Sequence, residues 1–278
     1  MGHMTAFLHL MNTAFDFILF TQGHTGRYAA IVLLSAVSAV IFMALFKKVS
    51  NQAGIKREKA KIVGNLFQMR LYKDRLSLIL SSIFNVFKHN LFYIRYMLVP
   101  LIVIIIPLMI ITVQVNQRCG YKPFIPGDEF IVTADLNDSG LLDAIECQTT
   151  NGIELSTPVM RIYEQGRAYW RAKVRSRTEA SETISLYADN QKIGSKTIVA
   201  GRPAERFIPQ KIKGGNFEAI FFNAEGFLPA ASPLEKLTIN YPRATYGFLW
   251  VGMDAVVLYF LLTLIFALII KPFFKVSV

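Results

Sequence analysis

At 278 residues the chain carries a formal charge of +11, yet 53% of it is hydrophobic and only 18% is charged. A soluble domain is about 25% charged, so this composition argues against an ordinary soluble domain and against a disordered polycation. The apolar surplus is gathered into three blocks, 28–46, 91–115 and 246–270. Each is about the length of the ~20 residues that a helix needs to cross a hydrocarbon core. None alternates with period two, so the blocks are expected to be helices rather than barrel strands.

In chain order, Met1–Met4 read as cloning-derived and are set aside. Residues 5–20 place Thr5, His9, Asn12, Thr13 and Asp16 along one stripe of an otherwise apolar segment. That predicts an amphipathic helix lying in the membrane interface. The first span, 28–46, follows the break at Gln22–Gly26, with Arg27 at its lip and Ser35 and Ser38 within it. Residues 47–90 then show two helical stripes, one of Ile55, Ile62, Leu66 and Met69, the other of Leu76, Ile79, Leu80, Ile83 and Phe87. Two helices folding back near Tyr72–Asp74 and packing antiparallel as a short coiled coil would return the chain to the membrane it left. One kinked helix is the alternative. The second span, 91–115, carries Arg95 near one edge, Gln114 near the other, and Pro100 and Pro107 between.

Residues 116–245 change character. Loop signals at Gly120–Pro123 and Pro126-Gly127 lead into short runs at 130–136, 159–163, 168–175, 183–188 and 192–199. Trp170, Ala172 and Val174 alternate with Arg171, Lys173 and Arg175, and Asp189-Asn190 reads as a hairpin turn. A β-sandwich-like domain is expected. Residues 201–235 read as loops, with 217–222 an apolar run that is a strand or a membrane-dipping element, and 237–241 as a last strand. The third span, 246–270, holds Asp254 and Thr263 and ends in the basic tail 271–278.

The charges fix an expected orientation. Residues 47–90 hold ten basic and two acidic groups, whereas 116–245 hold 16 basic and 15 acidic. Short cytoplasmic loops are rich in Lys and Arg. The hairpin and the C-terminus are therefore placed in the cytoplasm, with the N-terminus and β-domain outside. A nucleic-acid patch would need stacking aromatics along a basic groove, and the basic residues here stand elsewhere.

Candidate chemistry is sparse. There is no nucleophile elbow, no phosphate-cradling loop and no His or Cys at metal-ligand spacing, so no enzyme, cofactor or metal is predicted. Cys119 and Cys147 both fall in the outer segment, where an oxidising space permits a disulfide. Polar groups within the spans are costly and tend to face protein or water. Ser35, Ser38, Gln114, Asp254 and Thr263 therefore either line a hydrophilic groove or hydrogen-bond between spans. Arg27 and Arg95 are candidate lip anchors, able to snorkel to headgroups.

The order of parts, together with Ser50-Asn51-Gln52, Arg70-Leu71-Tyr72-Lys73-Asp74 and Lys88-His89-Asn90-Leu91, resembles the three-span layout of the YidC/Oxa insertase superfamily. The resemblance implies a bacterial inner-membrane protein whose cytoplasmic hairpin receives hydrophobic segments of incoming membrane proteins. The hairpin residues Ile62, Leu66, Met69 and Leu76 would make that contact. Two features depart from the layout: the first span has no mid-membrane Arg, and a β-domain stands between the second and third spans. A structural or adaptor subunit, binding other subunits through the β-domain, is the competing expectation.

Overall fold

The computed structural model describes residues 13, 15, 23–175, 182–200, 207–213 and 227–274. Of the expected interfacial helix 5–20, only Thr13 and Phe15 fall among them, both helical; the run 217–222 lies outside. The chain divides into two compact units, Met1–Ile31 with Val113–Leu258 and Val32–Thr112 with Tyr259–Val278.

Four long helices run through these units: α1 (Gly23–Val49), α2 (Gln52–Leu71), α3 (Leu76–Cys119) and α4 (Ala255–Phe274). Three of them, α1, α3 and α4, are long and apolar enough to cross a membrane. Between α1 and α2 the helix is interrupted for two residues, Ser50 and Asn51. Ser50 N–H still bonds Phe46 O at 2.9 Å, and Asn51 caps α2 by accepting from Gly54 N–H at 2.9 Å. Such a cap satisfies one of the donors that every helix start leaves unpaired.

The chain turns back on itself at Tyr72–Arg75. Tyr72 N–H closes α2 on Gln68 O, and Arg75 O receives the first amides of α3 from Leu78 and Ile79. A hairpin forms where the sequence places it, but two details differ. Its second arm and the second span are one helix of 44 residues with Pro100 and Pro107 inside it. At 1.5 Å per residue it is about 66 Å long, roughly twice the hydrocarbon thickness. The coiled-coil seam is also absent. A seam would bury both stripes, whereas Leu66, Leu76 and Leu80 are exposed. The arms meet at their root instead, where a Cβ on Gly54 would come within 3.1 Å of the Tyr96 ring. Ile55 beside it is fully buried.

The other unit is dominated by antiparallel sheets. One has the order β3 (Ile153–Leu155), β5 (Arg167–Val174), β1 (Glu129–Leu136), β9 (Leu234–Ile239), β8 (Gln210–Ile212), with β4 (Met160–Ile162) also on β5. The second has the order β2 (Ile145–Thr149), β6 (Glu182–Ala188), β7 (Gln191–Ile198). Register follows the alternation in sequence. Phe130, Val132 and Ala134 of β1 stand opposite Ala172, Trp170 and Ala168 of β5, and all six are buried. Ile184, Leu186, Ile193 and Ile198 of the smaller sheet share the same core as Trp170, Leu237 and Ile239 of the larger. Asp189 and Asn190 both take positive φ, as a two-residue hairpin turn requires.

Three expectations are corrected here. The stretch 201–235 is not all loop, since β8 pairs with β9. The final core strand begins at Leu234, three residues earlier than expected. Most consequentially, the third long helix starts at Ala255, not at 246. Residues 245–254 form a hairpin, β10 (Thr245–Phe248) and β11 (Val251–Asp254). Thr, Tyr, Phe and Val favour strands, but their apolarity merges with the span in a hydropathy reading.

Candidate functional site

The hairpin root carries the densest group of interacting charges among the described residues. Glu58 on α2 is only 4% exposed at its side chain. Its Oε1 receives Arg57 Nε at 3.0 Å and Lys61 Nζ at 3.3 Å, and its Oε2 lies 2.7 Å from His89 Nδ1 on α3. An ionised carboxylate only accepts, so His89 Nδ1 carries the proton in this contact. Burial alone would raise the Glu58 pKa, but the bonds from His89, Arg57 and Lys61 outweigh it and hold the carboxyl below its ordinary range. Arg57 also reaches Tyr96 OH at 3.5 Å, and Gln52 donates to the Ser50 hydroxyl. His89, of the stretch Lys88–Asn90, is thus joined to α2 through Glu58, while Ser50 and Gln52 bond each other at the start of α2.

Beyond that root the arms present apolar surface. On α3, Leu80, Phe84 and Phe87 are 67%, 69% and 74% exposed; on α2, Leu66 and Phe67 are exposed as well. Of the four hairpin residues singled out by sequence, Leu66 and Leu76 are exposed, while Ile62 and Met69 are half-buried. Lys56, Arg57, Lys59 and Lys61 are all exposed beside this surface.

The polar residues expected within the spans do not gather into one site. Ser35, Ser38 and Thr263 are nearly inaccessible, in a packed seam with the buried Tyr259. Ser35 Oγ donates to Tyr259 O at 3.3 Å and Thr263 Oγ1 to the same carbonyl at 2.7 Å. The Ser38 and Tyr259 hydroxyls are neighbours without a well-formed hydrogen bond. Gln114 belongs to a different group, where it accepts from the buried Arg118 one turn along α3. Asp254 is exposed at the end of β11, opposite Thr245, and is not inside a helix.

Of the candidate anchors, Arg95 is exposed. Arg27 is half-buried instead, donating to Tyr121 O at 3.2 Å with its guanidinium 5.3 Å above the Phe207 ring. It ties the start of α1 to the β-domain. The permitted disulfide is not formed, since both thiols are free. Burial pushes the Cys147 thiol up to about 12, which favours its protonated form.

A cleft of about 390 Å³ opens on the face of the larger sheet, lined by Tyr121, Tyr169, Tyr241, Gln210, Asn240 and Arg243 among others. Arg243 lies 4.8 Å from the Tyr121 ring centroid. Sequence reasoning missed this cleft and the Glu58–His89 contact alike. Alternation does mark the cleft's sheet positions as outward-facing, but which of them converge depends on register. Comparison with protein-family models, with curated proteins and with solved structures finds no match for this chain.

Proposed function

We propose that this chain is a membrane-protein insertase or membrane chaperone of the YidC/Oxa kind. It would sit in a bacterial inner membrane with its hairpin in the cytoplasm and its β-domain outside. One observation carries the reading: the exposed apolar face of the hairpin arm at Leu80, Phe84 and Phe87. A helix that only anchors needs about 20 residues, and α3 has 44. Large apolar side chains held in water destabilise a protein unless something covers them, so a face of this kind marks an interaction site. Covering one such side chain fully is worth about 1.5–3 kcal/mol. The flanking lysines and arginine suit a position over an anionic inner leaflet, each contributing about 1 kcal/mol of attraction. Together they describe a surface that captures a hydrophobic segment next to the membrane receiving it.

The test is site-specific photocrosslinking from Phe84 to a ribosome-bound apolar segment. Crosslinks are expected in the wild-type background and should be lost in L80S/F87S, whose targets are exposed and leave the fold intact. Absence of crosslinks in the wild-type background refutes the reading.

The tyrosine-lined cleft favours a second reading, an adaptor that binds an extracytoplasmic partner through the β-domain. An adaptor would keep its partners in L80S/F87S and lose them when 124–240 is deleted.

A further inference from the structure

The tip of the β10–β11 hairpin is the most exposed apolar feature of the β-containing unit. Leu249 and Trp250 form its two-residue loop; Trp250 is fully exposed, and Leu249 and Val251 are largely so. Leu249 holds φ +47°, a left-handed conformation that Gly or Asn adopts readily and a bulky L side chain adopts rarely. The turn thus presents two large apolar side chains where small or polar residues would fit with less strain. Nothing within the hairpin covers them.

The base of the hairpin is fixed in place. Tyr246 is completely buried, its hydroxyl donates to Cys119 O at 2.7 Å, and its ring lies 6.3 Å from that of Tyr28. Cys119 is the last residue of α3, Tyr28 lies just inside the start of α1, and β11 leads directly into α4 at Ala255. The boundary ends of all three membrane-length helices therefore meet at the hairpin base. Each strand is four residues long, about 13 Å at ~3.3 Å per residue. The tip cannot be farther than roughly that distance from the level at which the helices leave the hydrocarbon. The interfacial layer on each side is itself about 5–7 Å deep, and Trp is the side chain most suited to it, with an apolar ring and one N–H donor.

From these observations we propose that Leu249 and Trp250 form a lipid-contacting wedge seated in the headgroup–acyl boundary of the leaflet on the β-domain side. Its partner is the bilayer itself. The wedge sets the height of the β-domain over the membrane, because its buried base is shared with the adjoining ends of α1, α3 and α4. The proposal requires the helices to cross a bilayer and is independent of what the α2–α3 hairpin binds.

The chain has two tryptophans, and Trp170 lies buried in the β core. The emission lost in W250F is therefore the signal of Trp250, and Trp250→Phe replaces an exposed side chain without disturbing the fold. The full chain is reconstituted in phosphatidylcholine–phosphatidylglycerol nanodiscs, with and without acyl-brominated lipid. The wild-type minus W250F signal should be blue-shifted, should lose most of its intensity to lipid brominated near the headgroup, and should resist aqueous iodide. Quenching by iodide and not by bromolipid would put the tip in water and overturn the proposal. Resistance to both quenchers would overturn it equally, showing the tip covered by a second copy of the chain or by another part of it.

Discussion

Glu58 is shielded by a thin shell: its own ion partners cover it on a two-helix hairpin, with solvent close beyond. Its contribution is therefore expected to resemble a screened ion pair, about 1 kcal/mol or less, not a deeply buried one. The direction with pH follows from the lowered carboxyl pKa. A carboxylate favoured by the folded state stabilises it at pH values above the ordinary carboxylate range. That contribution disappears as pH falls through the lowered pKa and the group protonates. Hydrogen exchange at the amides of residues 52–58 should accordingly be faster in Glu58→Gln than in wild type at pH 7. The gap between the two should close as the pH drops below the carboxylate range. A gap independent of pH would show that shape, not charge, holds the root. The sequence lists Glu58 as one of two acids in a basic stretch and His89 as one histidine near a membrane boundary. Thirty-one residues separate them, and only the hairpin's pairing makes them neighbours.

Elements were legible in proportion to how far one period persists. The alternation of β1, β5, β6 and β7 runs for seven or eight residues and locates each strand to within a residue or so. Strands of three residues, β3 and β8, leave no period to read; β8 is created by β9 beside it. The β10–β11 hairpin failed for the opposite reason, because its signal was overwhelmed by the apolar helix that follows. The spans themselves were plain, but the polar residues marked within them were not one site, since periodicity says which side chains share a helix face and not which helices meet. Packing between sheets is likewise invisible in sequence, and Gly194 shows what it demands. A Cβ there would lie 2.6 Å from Leu234 Cδ2 and 3.1 Å from Leu228 Cδ2, where β7 comes close to β9 and its neighbouring loop. Gly194→Ala should therefore overpack the core. A loss of about 1–3 kcal/mol is expected, read as a lower unfolding midpoint of the β-domain followed by Trp170 fluorescence. An unchanged midpoint would mean that both leucines swing away without cost.

At the scale of the whole molecule the decisive property is which parts share a compartment. Between the hairpin turn at residues 72–75 and the β-domain lies a single membrane-length helix, α3. If α3 crosses a bilayer once, Lys59 and Asp189 lie on opposite sides of it, whichever side each occupies. The proposed absolute orientation rests on the charge asymmetry: the excess of Lys and Arg in 47–90 favours the cytoplasmic side for the hairpin. Both statements are open to one experiment on intact cells with a membrane-impermeant maleimide. Lys59 and Asp189 are exposed; Asp189 holds φ +49°, so a cysteine there adds about 1 kcal/mol of turn strain but displaces nothing buried. Cys119 is buried and Cys147 is half-buried, so labelling of each variant is scored against that of the parent chain. Asp189→Cys should be labelled in intact cells, and Lys59→Cys only after the membrane is opened. The reverse pattern would leave the architecture standing but invert it, placing the apolar hairpin face outside, away from any nascent chain. The insertase reading would then fail. Labelling of both positions in intact cells would show that α3 does not cross the bilayer, and the division of the chain between two compartments would fail with it.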